Sequence, residues 1–333
     1  MTSGTSRSWG PSVIDVVVVM LMVVVFANAA VALLEGRAVA CEPDATGQRS
    51  PAVAPPVVSP GAPAAGRRVS VTPPEHAGTD VHHAIWLPGD WSADRVGTGE
   101  RWPVVVEYAG NEHPASGSTG RVEDAALGHG LTGGRCIWVV LPFVASDGTR
   151  NEATWWGDLA ATVAYAKVNV PRICRTFGGD PARVLLCGFS RGAIAVNHVG
   201  LHDDEIAGLW CGFVTHDHYD GVREWRGTAW GAPLMTYRAA AAVRLARIRE
   251  RPVLICQHGG TAEIEAWLDA SGARPREVTF LPVRIDALFP HLPCRPVPGV
   301  EITSTHTDRW LVVDSADGRT ARSWVAEVLR MGQ

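Results

Sequence analysis

The chain has 333 residues, 46% of them hydrophobic and 19% charged, with 34 acidic against 30 basic side chains and a formal net charge of −4. That is a globular composition, long enough for a sizeable core, and it lacks the basic face that wrapping nucleic acid requires. Its seven cysteines include no Cys-x-x-Cys pair, so neither a zinc ribbon nor a thioredoxin-like site is indicated. Cys187, Cys211 and Cys256 fall in apolar runs and read as core; Cys136, Cys174 and Cys294 read as nearer the surface, where two of them would close a disulfide in an exported protein.

Residues 16–27 form an unbroken run of twelve apolar side chains, preceded by Arg7 and followed by Ala27-Asn28-Ala29 and Ala38-Val39-Ala40. This is the plan of a secretory signal. The rival is an uncleaved anchor, because the run continues past Asn28 to Leu34 and reaches nineteen residues, about the length that spans a bilayer; a third reading lipidates Cys41. Residues 1–40 are therefore expected to be a signal peptide or N-terminal anchor, and the protein secreted, periplasmic or on the cell surface, touching a membrane only through this segment if it stays uncleaved. Eight prolines between Pro43 and Pro74 mark residues 41–67 as a Pro/Ala-rich linker, leaving 68–333 as one catalytic domain.

Within that domain, strand-like runs occur at Val81–Leu87, Pro103–Tyr108, Cys136–Leu141, Arg183–Cys187, Leu209–Thr215, Pro252–Gln257 and Val278–Val283. Their continuous apolarity suits strands buried on both faces. Helical stretches follow at Asp158–Phe177, from Arg191, at Ala239–Arg249, Thr261–Ser271 and Ala321–Leu329. This alternation predicts an α/β fold with a doubly wound, mostly parallel sheet flanked by helices, whose ligands bind at the carboxyl ends of the strands. Arginines between Arg238 and Arg251 read as a solvated helix face, with Val243, Leu245 and Ile248 on the buried side.

After the run ending at Cys187 comes Gly188-Phe189-Ser190-Arg191-Gly192, placed between a strand and a helix. In such an elbow the turn is too tight for side chains two positions either side of the serine, and it exposes the Ser190 hydroxyl at the sheet edge. The Arg191 amide then points where an oxyanion would form. With the approach Gly179-Asp180-Pro181-Ala182-Arg183-Val184, the segment resembles the α/β-hydrolase superfamily, in particular its secreted polyester-depolymerase and feruloyl-esterase branch. Pro103–Asn111 is similar to the strand that ends in His-Gly in that family, with Ala109 in the histidine's place. The resemblance implies a second oxyanion donor at the Asn111 amide.

A serine hydroxyl needs an imidazole to take its proton, and in this fold the order is Ser, acid, His. Only His291 and His306 lie beyond the last predicted strand, and His306 is the expected base; His291 sits in a proline-rich loop. The run His258-Gly259-Gly260-Thr261-Ala262-Glu263 resembles the family's His-Gly-Thr-Ala-Asp turn, which makes Glu263 the first choice of acid, with Asp217 or Asp220 as alternatives.

His216, His218 and Asp220 also resemble a metal-hydrolase His-x-His-x-Asp core, a lesser alternative since Gly221 stands where a further histidine is needed; the same residues, at a strand's carboxyl end, read first as a polar wall of the substrate pocket. Trp155, Trp156, His216, Asp217 and Trp310 are expected to line the pocket, and Trp225 and Trp230 fall near the same cluster. The expected function is a cofactor-free, metal-free serine hydrolase cleaving carboxylic esters, carried on carbohydrate, phenolic or polyester substrates. The alternatives are a non-catalytic carbohydrate- or partner-binding relative of the fold and, less so, a peptidase.

Overall fold

The computed structural model describes Met1 and residues 54–331. Residues 2–53 lie outside the described residues, and with them almost all of the expected signal or anchor and the first part of the linker. Residues 54–331 fall within one unit, Ala40–Gln333.

Eight strands make the main sheet: β1 (Arg67–Val71), β2 (His83–Leu87), β3 (Trp102–Tyr108), β4 (Ile137–Leu141), β5 (Gly179–Phe189), β6 (Gly212–His216), β7 (Val253–His258) and β8 (Val278–Val283). They stand in the order β1-β2-β4-β3-β5-β6-β7-β8. Only β2 runs antiparallel to its neighbours; every pair from β4 to β8 is parallel. This is the expected doubly wound, mostly parallel sheet, with the Ser190 elbow after its fifth strand. All seven expected strands are present within a few residues. The linker boundary moves, however: Val58 already bridges Arg68, Ala65 bridges Leu87, and β1 begins at Arg67.

Strand alternation divides the core in two. Val104, Val106, Val184 and Leu186 face one side, where they meet helices α2 (Leu159–Phe177), α3 (Arg191–His198), α4 (Leu234–Leu245) and α5 (Ala262–Ser271). Val105, Leu185, Cys187 and Cys256 face the other, against α1 (Leu127–Thr132) and α6 (Ala316–Val328). Both faces being covered is what continuous apolar runs in parallel strands require. Helix α2 begins where the Asp158 carboxylate accepts the Ala161 N–H at 2.8 Å and ends at Gly178, which has φ 71°, the ordinary pairing of acidic N-cap and left-handed C-cap.

Two surface expectations are corrected. Cys136, Cys174 and Cys294 are all buried, and Cys136 and Cys174 carry free thiols, so no bridge joins any two of the three. The Arg238–Arg251 segment buries Leu245 and Ile248 and exposes Arg249 as expected, but Arg244, Arg238 and Val243 depart from a simple solvated face. Arg244 grips the buried Asp220 at 2.8 and 3.0 Å, Arg238 caps the carbonyls of Gly221 and Val222, and Val243 is the exposed member, 62% accessible.

Candidate active site

Ser190 leaves β5 with φ 55° and ψ −117° and opens α3. The two elbow glycines are steric necessities. A Cβ on Gly188 would lie 2.2 Å from the Gly192 carbonyl oxygen, and one on Gly192 would lie 1.8 Å from that of Tyr108 on the adjacent strand β3. The serine thereby stands at the carboxyl end of the sheet's centre, where parallel sheets present their ligands.

Two further loops converge on it. His306 Nε2 lies 2.9 Å from Ser190 Oγ, and His306 Nδ1 lies 3.1 Å from Asp217 Oδ2. Asp217 follows β6 directly, and its other oxygen accepts the His258 N–H at 2.7 Å. Burial pushes this carboxyl's pKa up, but the neighbouring His216 imidazole, the His306 hydrogen bond and the His258 amide outweigh that and hold it at about 2. It is therefore a carboxylate at any ordinary pH, able to keep the proton on Nδ1 and leave Nε2 as an acceptor for the serine proton.

The first-choice acid, Glu263, is displaced by this geometry. It sits exposed in the first turn of α5, where a carboxylate is favoured by the helix dipole, while the position beside His306 Nδ1 belongs to Asp217. Asp220 is also removed from the role, since its carboxylate is taken by Arg244. The same bonds take the proposed metal trio apart: Asp220 faces Arg244, and His216 Nε2 donates to the Thr307 carbonyl at 2.9 Å.

Arg191 contributes in two ways. Its amide is the first of a helix and has no intrahelical acceptor. Its buried guanidinium donates to the carbonyls of Trp155 (2.6 Å), Gly110 (2.9 Å) and Gly120 (3.2 Å) and lies over the Phe143 ring. Burial lowers its pKa to about 9. The guanidinium thus ties the loop after β3, which carries Asn111, to the elbow. The Asn111 side-chain oxygen is occupied, accepting the Trp155 N–H at 2.7 Å.

The expected pocket residues sort into three groups. Trp155 is half-buried at the site, as are Trp225 and Trp230. Trp156 is 4% exposed and supports them from beneath. Trp310 and His216 are 0% exposed and belong to the packing: the His216 ring lies between Phe189 (5.5 Å) and Trp310 (5.6 Å). His218, read from the sequence as part of a polar pocket wall ahead of the metal alternative, has its ring 5.4 Å from that of His306. A polar cavity of about 130 Å³ adjoins His306 from other elements, lined among others by Ser116, Thr119, Arg121, Thr303 and Arg309.

No protein-family model and no curated sequence matches the chain. Among solved structures it is similar to a ferulic acid esterase (11% identity over 64% of this chain and 87% of that one, TM-score 0.37). Esterase 2 of Thermogutta terrifontis is 18% identical over 63% of this chain and 83% of that one, TM-score 0.40. The AtxE2 isopeptidase is 15% identical over 80% of this chain but only 40% of its own length, TM-score 0.45.

Proposed function

We propose that the protein is a serine hydrolase that cleaves carboxylic esters through an acyl-enzyme, with Ser190 as nucleophile, His306 as base and Asp217 as the acid. The observation that carries this reading is the unbroken chain from Ser190 Oγ to His306 Nε2 (2.9 Å) and from His306 Nδ1 to Asp217 Oδ2 (3.1 Å), delivered by three separate strand-end loops. Ser190 attacks the ester carbonyl while His306 takes its proton; the tetrahedral oxyanion is received by the amides of Arg191 and Asn111. His306 then returns the proton to the departing alcohol, and a water repeats the sequence to free the acid. Every step uses the chain's own groups. Export from the cell, by the signal or anchor expected in residues 1–40, remains part of this proposal.

The test is labelling by a fluorescent fluorophosphonate together with turnover of a short-chain aryl ester. Both vanish in Ser190→Ala and survive a chelator if the reading is right. Turnover that outlasts Ser190→Ala would refute it.

A further inference from the structure

The Arg191 guanidinium is 1% exposed. Among the described residues it forms no ion pair: Glu152, the carboxylate that acts on it through space, accepts the Ala153 and Thr154 N–H groups and lies 3.8 Å from Arg150 instead. Both terminal nitrogens donate to main-chain carbonyls, Nη1 to Trp155 (2.6 Å) and Glu152 (3.3 Å), Nη2 to Gly110 (2.9 Å) and Gly120 (3.2 Å), and the buried Nε has no partner. Burial lowers its pKa only to about 9, so the group stays charged at neutral pH. A buried cation without a carboxylate beside it is costly, and bracing loops through their carbonyls needs donors rather than a charge.

One of those carbonyls has a particular place. The Gly110 C=O and the Asn111 N–H belong to one peptide unit, and among the described residues only Ala232–Pro233 and Leu292–Pro293 are cis. The unit is therefore trans and planar, its C=O and N–H pointing in opposite directions. Fixing the carbonyl on Nη2 at 2.9 Å fixes the amide too, directed away from the guanidinium. A charge-assisted bond to the oxygen is stronger than a neutral one and polarises the unit, which makes its N–H a better donor. That N–H makes no hydrogen bond among the described residues. The rest of Asn111 is held as well, for Ser118 Oγ donates to its carbonyl at 2.6 Å, and its Oδ1 takes the N–H of Trp155, whose own carbonyl Arg191 holds. Gly110 packs against the elbow, where a Cβ would lie 3.0 Å from the Phe189 ring.

We infer that the Arg191 side chain is the positioning residue of the oxyanion site, holding the Gly110–Asn111 peptide so that the Asn111 N–H is aimed and polarised for the tetrahedral intermediate. The inference rests on the hydrolase reading, which supplies that intermediate. It also accounts for the unpaired charge. Negative charge arises at the elbow only when Ser190 attacks, so a cation left unpaired in the resting protein favours the transition state over the ester that precedes it. Arg191 thus serves the site twice: its amide donates to the oxyanion, and its guanidinium, without touching the substrate, sets the second donor.

The test uses 4-nitrophenyl butyrate as substrate and propylboronic acid, which adds to the serine hydroxyl as a tetrahedral anion, as the mimic of the intermediate. In Arg191→Met, kcat and kcat/KM should fall together by about a hundredfold with KM within about twofold, the pattern of an interaction made only in the transition state. The inhibition constant of the boronic acid should rise by about the same factor. Arg191→Lys keeps the charge but lacks the planar fork that reaches several carbonyls, and should lose at least about tenfold in both. It decides the matter if Arg191→Met fails to fold, judged by thermal melting. A folded variant that keeps kcat within about threefold of the parent, or whose KM rises as far as the inhibition constant does, overturns the inference and leaves the hydrolase reading standing. Where the parent binds the boronic acid without hydrolysing this ester, the change in that affinity alone decides, weakened binding supporting the inference and unchanged binding overturning it. A parent that does neither overturns the hydrolase reading and the inference with it.

Discussion

Replacing Asp217 with Asn discriminates between the two carboxylates that the sequence offers. The two oxygens of Asp217 have separate tasks, one at 3.1 Å from His306 Nδ1 and the other at 2.7 Å from the His258 amide. An amide has one acceptor oxygen. With that oxygen kept on His258, the introduced NH2 group faces Nδ1 and drives the imidazole proton to Nε2, where it points at Ser190 Oγ instead of accepting its proton. The wrong tautomer in a serine triad costs about 10⁴ in kcat, equivalent to about 5 kcal/mol at roughly 1.4 kcal/mol per tenfold. Glu263→Gln, on the exposed first turn of α5, should stay within about twofold, as surface substitutions ordinarily do. Ester turnover and the rate of fluorophosphonate labelling would be measured for the parent and both variants, with a thermal melt to confirm folding. A folded Asp217→Asn protein that retains more than a tenth of the activity, or a collapse in Glu263→Gln, would refute the assignment.

Asp217 also sets a pH dependence. A carboxyl held at about 2, against the usual 3.8, contributes stability that is present above pH ~4 and lost as pH falls through about 2, worth about 2 kcal/mol at 1.36 kcal/mol per pH unit. The gap in Tm between the parent and Asp217→Asn should therefore be widest above pH 4 and close toward pH 2; a gap that grows on acidification contradicts it. His216→Phe keeps a ring between Phe189 and Trp310 but deletes the 2.9 Å bond to the Thr307 carbonyl, which positions the loop next to His306. We expect kcat to drop about tenfold with KM little changed, from the net worth of a buried hydrogen bond, and an unchanged kcat would reduce His216 to packing. Arg244→Met strands the Asp220 carboxylate, which is 0% exposed, and should cost about 3–5 kcal/mol, read as a Tm loss that Arg244→Met/Asp220→Asn largely restores.

How far the sequence reading reaches follows from which signals are local. Strands β2 to β7 are visible because their central residues are buried on both faces and largely apolar, β8 because Val278, Phe280, Leu281 and Val283 keep an apolar pattern although Thr279 and Pro282 are exposed at the sheet edge, and the elbow is visible because sterics demand glycine at 188 and 192. β1 escaped because its five residues, Arg-Arg-Val-Ser-Val, form a short edge strand that abuts a proline-rich run. Helix α1 escaped because Leu-Gly-His-Gly-Leu-Thr has poor helix propensity. It forms where the buried Glu107 accepts the Leu127 and Gly128 amides, and it is covered on all sides. The acid could not be settled locally either. Both Asp217 and Glu263 follow parallel strands, and the choice depends on which strand end lies beside the His306 loop, a property of sheet order. The tryptophans show the same limit: number and proximity in sequence did not separate Trp310, wholly buried, from Trp155, Trp225 and Trp230, which remain open.

Among the described residues five that are not glycine have positive φ: Trp155, Ser190, Asp217, Arg249 and Arg330. Three of the five surround the site, and each such conformation costs on the order of 1–3 kcal/mol. The same device sustains all three, since each donates its own N–H to a neighbouring strand end or the loop that follows it. Ser190 donates to the His216 carbonyl at 2.9 Å, Asp217 to that of Cys256 at 3.1 Å, and Trp155 to Asn111 Oδ1 at 2.7 Å. For Ser190 and Asp217 these bonds add one rung to the parallel ladders β5–β6 and β6–β7, beyond the pairs Phe189–His216 and His216–Cys256. The sheet therefore resists relaxation of Ser190 and Asp217 together, while the Asn111 side chain holds Trp155. On the proposed hydrolase reading such a site is set before any substrate arrives, and reorganisation at the moment of reaction, the term that oxyanion and triad chemistry gains most by avoiding, is already absorbed in folding.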